Sequence, residues 1–130
     1  LKEALPNKKV YKAFILGFAF KGIPETSDMR ESPTLELVES LRDSNAKLLG
    51  HDPNVSDIEV RSTGATPTTV EEGFALADAA ILMTNHQLYQ DLNISELCAS
   101  RNQKIIIFDG WGMVGTSHIK NSQKIVYLSI

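Results

Sequence analysis

The chain has 130 residues, 42% of them hydrophobic, and its 16 acidic and 13 basic side chains leave a formal charge of −3. That is the size of one domain with enough apolar surface for its own core, and no polycationic tract offers a grip on nucleic acid or anionic lipid. No apolar run approaches the ~20 residues that span a bilayer, residues Leu1 to Lys9 are too polar for a signal peptide, and the single Cys98 cannot form an internal disulfide, which suits a cytoplasmic location.

The chain begins with Leu1 rather than Met, so the expectation is one domain of a longer polypeptide, with residues 1–9 as a linker. From Val10 to Phe18, "VYKAFILGF" is apolar, aromatic and β-branched and ends at a glycine corner, the pattern of a strand buried in mid-sheet. After a charged stretch, Ser32-Pro33 offers an N-cap with proline at the first helical position. Leu35, Val38, Leu41 and Arg42 then recur at helical spacing, predicting a helix from Pro33 to about Ser44. A short strand, Ala46 to Gly50, closes on the turn His51-Asp52-Pro53 and completes one βαβ unit.

Residues 54–68 are polar and turn-rich, with a short edge strand expected at Glu59 to Arg61. Thr68 or Thr69 caps a helix that runs through Leu76, with Glu71 and Glu72 in a first turn whose dipole favours acids. "DAAILMT" (Asp78 to Thr84) reads as a buried strand, "HQLYQDL" and "ISELCAS" as two short helical pieces, "KIIIFDG" (Lys104 to Gly110) as the clearest strand, and "KIVYL" (Lys124 to Leu128) as a last strand closing the sheet. Strands alternating with helices predict a doubly wound, mostly parallel α/β fold, a three-layer sandwich.

In such a sheet ligands bind beyond the carboxyl ends of the strands. Three segments share that rim: "GFAFKGIPETSDMRESP" after the first strand, Thr84 to Gln87, and "DGWGMVG" after the "KIIIF" strand. The first is the richest. It offers Lys21 as a point charge for phosphate, Arg30 as a planar fork, Asp28 to orient that fork, and Phe20 as a flat apolar surface. Taken singly, each is an ordinary solvated or core residue; their concentration on a ligand-prone rim is what points to binding. Gly17, Ala19 and Gly22 do not make G-x-G-x-x-G, so the usual cradle for a dinucleotide pyrophosphate is not expected.

Elsewhere the signals are weaker. His51, His86 and His118 lack ligand-spaced partners, which argues against zinc, and Cys98 reads as a buried, inert thiol. Asp52 has two readings, a ribose-hydroxyl partner at the end of a second strand or the initiator of its own turn. Asp109 suits the second of these roles. Trp111 is an exposed stacking surface, part of a subunit contact, or core.

The order "GFAFKG", "DMRESP" opening a helix, "HDP" ending the next strand, and "DGWG" after an apolar strand resembles the C-terminal, UDP-binding domain of the UDP-glucose/GDP-mannose dehydrogenase family. The resemblance runs from about Val10 to the C-terminus. It implies a Rossmann-like domain that lies over a nucleotide-sugar in enzymes oxidising a sugar alcohol to a uronic acid with two NAD per turnover. It implies that Phe20 and Lys21 contact the nucleotide-sugar, that Arg30 approaches an NAD held mainly by another domain, and that the full-length enzyme is a homodimer or larger. The family's catalytic cysteine motif and its G-x-G-x-x-G are both missing, so Cys98 is not given the catalytic role and the isolated domain is expected to be catalytically silent. Some members have an arginine after "FDG" that binds the neighbouring subunit's substrate; this chain has Trp111. The alternative from another class is a free-standing Rossmann-like module for a nucleotide or phosphometabolite.

Overall fold

The computed structural model describes residues 11–19, 33–44, 46–99, 101, 103–112 and 125–129. Along the chain these form β1 (Tyr11–Leu16), α1 (Pro33–Asp43), β2 (Ala46–His51), α2 (Asp57–Ser62), β3 (Thr66–Pro67), α3 (Val70–Leu76), β4 (Ala79–Leu82), α4 (Gln87–Gln90), α5 (Ile94–Leu97), β5 (Ile105–Asp109) and β6 (Ile125–Ser129). The six strands pair in the order β3-β2-β1-β4-β5-β6, every pair parallel. The chain winds outward from β1 to β3, returns to β4 on the other side of β1, and winds outward again. The direction of winding therefore reverses between β1 and β4, where an open α/β sheet forms its ligand crevice.

Near-continuous apolar runs build the central strands because both faces of the sheet are covered. Every residue of β4 is buried, and in β1 only Lys12 is exposed. On one face, Phe14, Leu16, Leu82, Ile105 and Ile107 pack beneath Phe74 of α3, Tyr89 of α4 and Ile94 of α5. On the other, Ala13, Ile15, Leu48 and Ile81 pack beneath Val38 and Leu41 of α1 and Val60 of α2. Phe14 and Phe74 meet edge to face at 5.5 Å and 88°. The Phe14 ring occupies the space a Cβ on Gly73 would need, so only glycine lets α3 sit this close to the sheet.

The doubly wound α/β sandwich is as expected, and so is the helix through Leu76, whose first turn is capped by Thr69: its Oγ1 accepts from Glu72 N at 3.1 Å. The edge strand expected at Glu59 to Arg61 is instead helical, within α2. Ser56 Oγ accepts from Glu59 N at 3.2 Å and donates to the Glu59 carboxylate at 3.1 Å, an N-cap that starts a helix there. The edge strand is β3, farther along. Arg101 is buried and donates to the Phe74 and Ala75 carbonyls at the end of α3 (2.7 and 3.2 Å) and to those of Gln103 and Lys104 (3.2 and 3.3 Å). A single guanidinium thus finishes α3 and fixes the approach to β5. The expected linker, residues 1–9, lies outside the described residues, among which no helix is long and apolar enough to cross a membrane.

Candidate functional site

The crevice at the winding reversal begins with Gly17, which leaves β1 at φ +107°. A Cβ there would come within 2.5 Å of the buried Thr84 side chain at the end of β4, so the close approach of the two strand ends, as well as the backbone angle, requires glycine. Gly17 N donates to the His51 carbonyl at 2.8 Å, and its own carbonyl accepts from Thr34 Oγ1 at 2.8 Å. Asp52, buried just past β2, completes the clamp. Its Oδ2 accepts from Phe18 N and Ala19 N at 2.7 and 2.9 Å, and its Oδ1 accepts from Asn54 N at 2.7 Å. Of the two readings of Asp52, the turn-initiating one holds, with a larger task added: the same carboxylate fixes the backbone that leaves β1.

Phe20, Lys21, Asp28 and Arg30, together with Ser32, lie outside the described residues. Both borders of that stretch are described. Ala19 is held by Asp52, and Thr34, in the first turn of α1, is held by Gly17. The segment that carries the candidate binding residues therefore leaves from and returns to the carboxyl end of β1.

A second group on the rim joins His51, His86 and Tyr89, residues that the chain separates by up to 38 positions. The Tyr89 hydroxyl donates to the His51 carbonyl at 2.9 Å and also lies 2.9 Å from His51 Nδ1. Its one proton is committed to the carbonyl, so Nδ1–H donates to the hydroxyl and Nε2 is left as an acceptor. Burial pushes the His51 pKa below 6.5, with Asp52, Glu71 and Asp57 pulling it up and His86 pushing it further down. Burial, reinforced by Asp52, raises the Tyr89 phenol and keeps it a neutral donor. His86 caps α4 through Nδ1, which accepts from Leu88 N at 3.0 Å. Beside this group lies a cavity of about 610 Å³ lined by His51, Asp57, Pro67, Glu71 and Leu88, among others.

At the third segment, Asp109 is fully buried. Its Oδ1 accepts from Trp111 N at 3.0 Å, the expected turn, and its Oδ2 accepts from the Tyr127 hydroxyl at 2.7 Å, tying β5 to β6. Trp111 is not core: it is half exposed, and its Nε1 donates to the Met83 carbonyl at 2.9 Å, laying the indole across the ends of β4 and β5. Cys98 is buried, and among the described residues no cluster of His, Cys, Asp or Glu is placed to hold a metal. Sequence reasoning missed Thr34, Tyr89 and Arg101. A signal was available only for Thr34, a hydroxyl in the first turn of a helix whose other inward positions are apolar.

Residues 14–116 match the model of the UDP-glucose/GDP-mannose dehydrogenase family, UDP binding domain. Over 100 residues the chain is 36% identical to UDP-N-acetyl-D-mannosamine dehydrogenase of Pyrococcus horikoshii, covering 77% of this chain and 21% of that protein. Over 101 residues it is 30% identical to UDP-glucose 6-dehydrogenase of Rhizobium meliloti, covering 74% and 22%. The solved structure of the Pyrococcus horikoshii UDP-D-ManNAc dehydrogenase superposes with a TM-score of 0.77 at 27% identity, over 100% of this chain and 28% of that one. The chain thus spans between a fifth and a third of the length of these relatives. The matched span takes in all three rim segments, and the chain belongs to the UDP-glucose/GDP-mannose dehydrogenase family, as its UDP binding domain.

Proposed function

We propose that this chain is the nucleotide-sugar-binding C-terminal domain of an NAD-dependent UDP-sugar 6-dehydrogenase, acting on a UDP-glucose or UDP-N-acetylhexosamine type of substrate to make UDP-uronic acids for polysaccharide synthesis. The observation that supports this reading is that Ala19 and Thr34, on either side of residues 20–32, are tied to Asp52 and Gly17 at the winding reversal. In this reading Phe20 lies against the nucleotide-sugar and Lys21 pairs with its diphosphate. Arg30 reaches an NAD held elsewhere in the polypeptide, and the working enzyme is a cytoplasmic homodimer or larger assembly.

The crevice of this domain does not suit a dinucleotide of its own. An acid at the end of β2 ordinarily receives a ribose hydroxyl, but Asp52 is buried and already accepts three backbone N–H bonds. In this reading the domain holds and orients the nucleotide-sugar, and redox chemistry belongs to other parts of the enzyme. Isothermal titration of the 130-residue chain with UDP tests the reading. Lys21→Ala should weaken UDP binding at least about tenfold, the value of one charge-assisted pair. The wild-type chain should reduce no NAD when given UDP-glucose. Equal UDP affinity in wild type and Lys21→Ala would overturn the assignment.

A further inference from the structure

At the opposite end of β1 and β2 lies a feature that the nucleotide rim does not use. Lys12 and Lys47 are register partners on these neighbouring strands, and both are exposed. They point to the same face, because Lys12 alternates with Phe14 and Leu16, and Lys47 with Leu49, all of which pack on the α3 side. Side chains paired in this way stand about 5 Å apart, and like charges at that spacing repel. Arg42, in the last turn of α1, approaches from the other face with its side chain over Gly64.

These three cations line one cavity of about 450 Å³ with Leu48, Thr66 and Leu76, and no acid is among its described lining residues. Among the described residues none of the three side chains has a hydrogen-bond or ion-pair partner. The Asp78 carboxylate accepts from the backbone N–H of Lys12 at 2.8 Å. Two further observations give the cleft its shape. Among the described residues β3 pairs with Leu49 and Gly50, and no described strand covers the outer edge of residues 46–48. Leu76 is 55% exposed and forms an apolar flank.

We propose that this cleft binds a small polyanion, a phosphorylated metabolite with at least two adjacent negative charges. A chain with a formal charge of −3 gathers in one concavity three cations without a partner among the described residues, and a bound polyanion relieves the repulsion between them. The Arg42 fork takes one phosphoryl group in the plane and the two lysines act as point charges. The volume is that of a small-ligand site, and it lies at the far end of the sheet from Gly17, so the inference is independent of the nucleotide reading.

The test is a titration of the ¹⁵N-labelled chain with inorganic pyrophosphate, the ionic strength being held constant with sodium chloride so that general screening does not change. The expected result is one saturable isotherm shared by the amides of Lys12, Lys47, Leu48 and Gly64, with Gly17 and Thr84 unmoved. Lys12→Gln/Lys47→Gln should weaken it at least about tenfold. Both sites are exposed, so that variant should keep or raise the ligand-free melting temperature as the repulsion is removed; Arg42→Gln provides a second, independent loss. Shifts that grow linearly without saturating, equal affinity in wild type and variants, shifts centred on Gly17 and Thr84, or binding of an acidic peptide but not pyrophosphate would each overturn the proposal. UDP titration at the rim is unaffected by any of these outcomes.

Discussion

Replacing Asp52 by Asn keeps the size and shape of the side chain but removes one of its two acceptor oxygens. The carboxylate now serves three buried or half-buried donors, Phe18 N and Ala19 N through Oδ2 and Asn54 N through Oδ1. An amide can face the Phe18 and Ala19 pair with its oxygen, which turns its NH₂ towards Asn54 N, or the reverse, which strands two donors. The first is less costly: one charge-assisted bond becomes a donor-donor contact and two others lose the charge. With each bond to a charged acceptor contributing about 1.5–3 kcal/mol, the predicted loss is about 2–4 kcal/mol. Asp52→Ala strands all three donors and should cost at least as much. Urea unfolding monitored by tryptophan fluorescence and far-UV circular dichroism gives the number, with the m-value unchanged because the surface exposed on unfolding is nearly the same. UDP affinity, measured under conditions where the variant is still folded, should fall as well, since Ala19 borders the segment carrying Phe20 and Lys21. An Asp52→Asn variant within about 0.5 kcal/mol of wild type, the range of ordinary surface changes, would refute the clamp.

Two other outcomes can be checked on the same material. His51 has its folded pKa below the 6.5 of the unfolded chain, so as pH falls the unfolded state takes up the proton first. Its contribution to stability is complete above about 6.5 and declines as the pH drops towards the folded value, and His51→Gln should flatten the stability profile between about pH 7 and 5. Arg101→Met leaves the Phe74 and Ala75 carbonyls without their shared donor and should cost about 2–4 kcal/mol. In a chain of this size that lowers the melting temperature by roughly 10 °C. Arg101→Lys should recover only part, because one ammonium cannot span the four carbonyls the guanidinium reaches.

The strands were legible because a parallel sheet buries both faces and leaves unbroken apolar runs: "YKAFIL", "AAIL" and "IIIFD" each form a central strand. Helix starts were legible where proline or a capping hydroxyl marked them, as at Pro33 and Thr69. Residues 57–62 show the opposite case. Where an edge strand is expected at Glu59 to Arg61, Ser56 and Glu59, three residues apart, cap a helix instead; the local hydrogen bonds decided the outcome and left Ile58 80% exposed. Within the site, Asp109 could be read from its own turn, because Trp111 N is two residues away. The rest depends on contacts between distant parts of the chain. Asp52 reaches back more than thirty residues to Phe18 and Ala19, Arg101 reaches back to Phe74, and Tyr89 reaches back to His51. No periodicity or spacing announces such pairs, because the sheet, not the local sequence, brings them together.

The His51 oxygen accepts from Gly17 N and from the Tyr89 hydroxyl, so a single atom joins the ends of β1 and β2 to α4. A four-residue helix such as α4 has no stability of its own, and its place is set by what Tyr89 buries and bonds. Lifting α4 away therefore breaks a bond to the same oxygen that holds the corner at Gly17, so the two are coupled through His51. The described ends of β1 and β2 and helix α4 are therefore expected to open locally together rather than one by one. A ligand that restrains α4 is expected to slow hydrogen exchange at the Gly17 amide, which donates to the same oxygen.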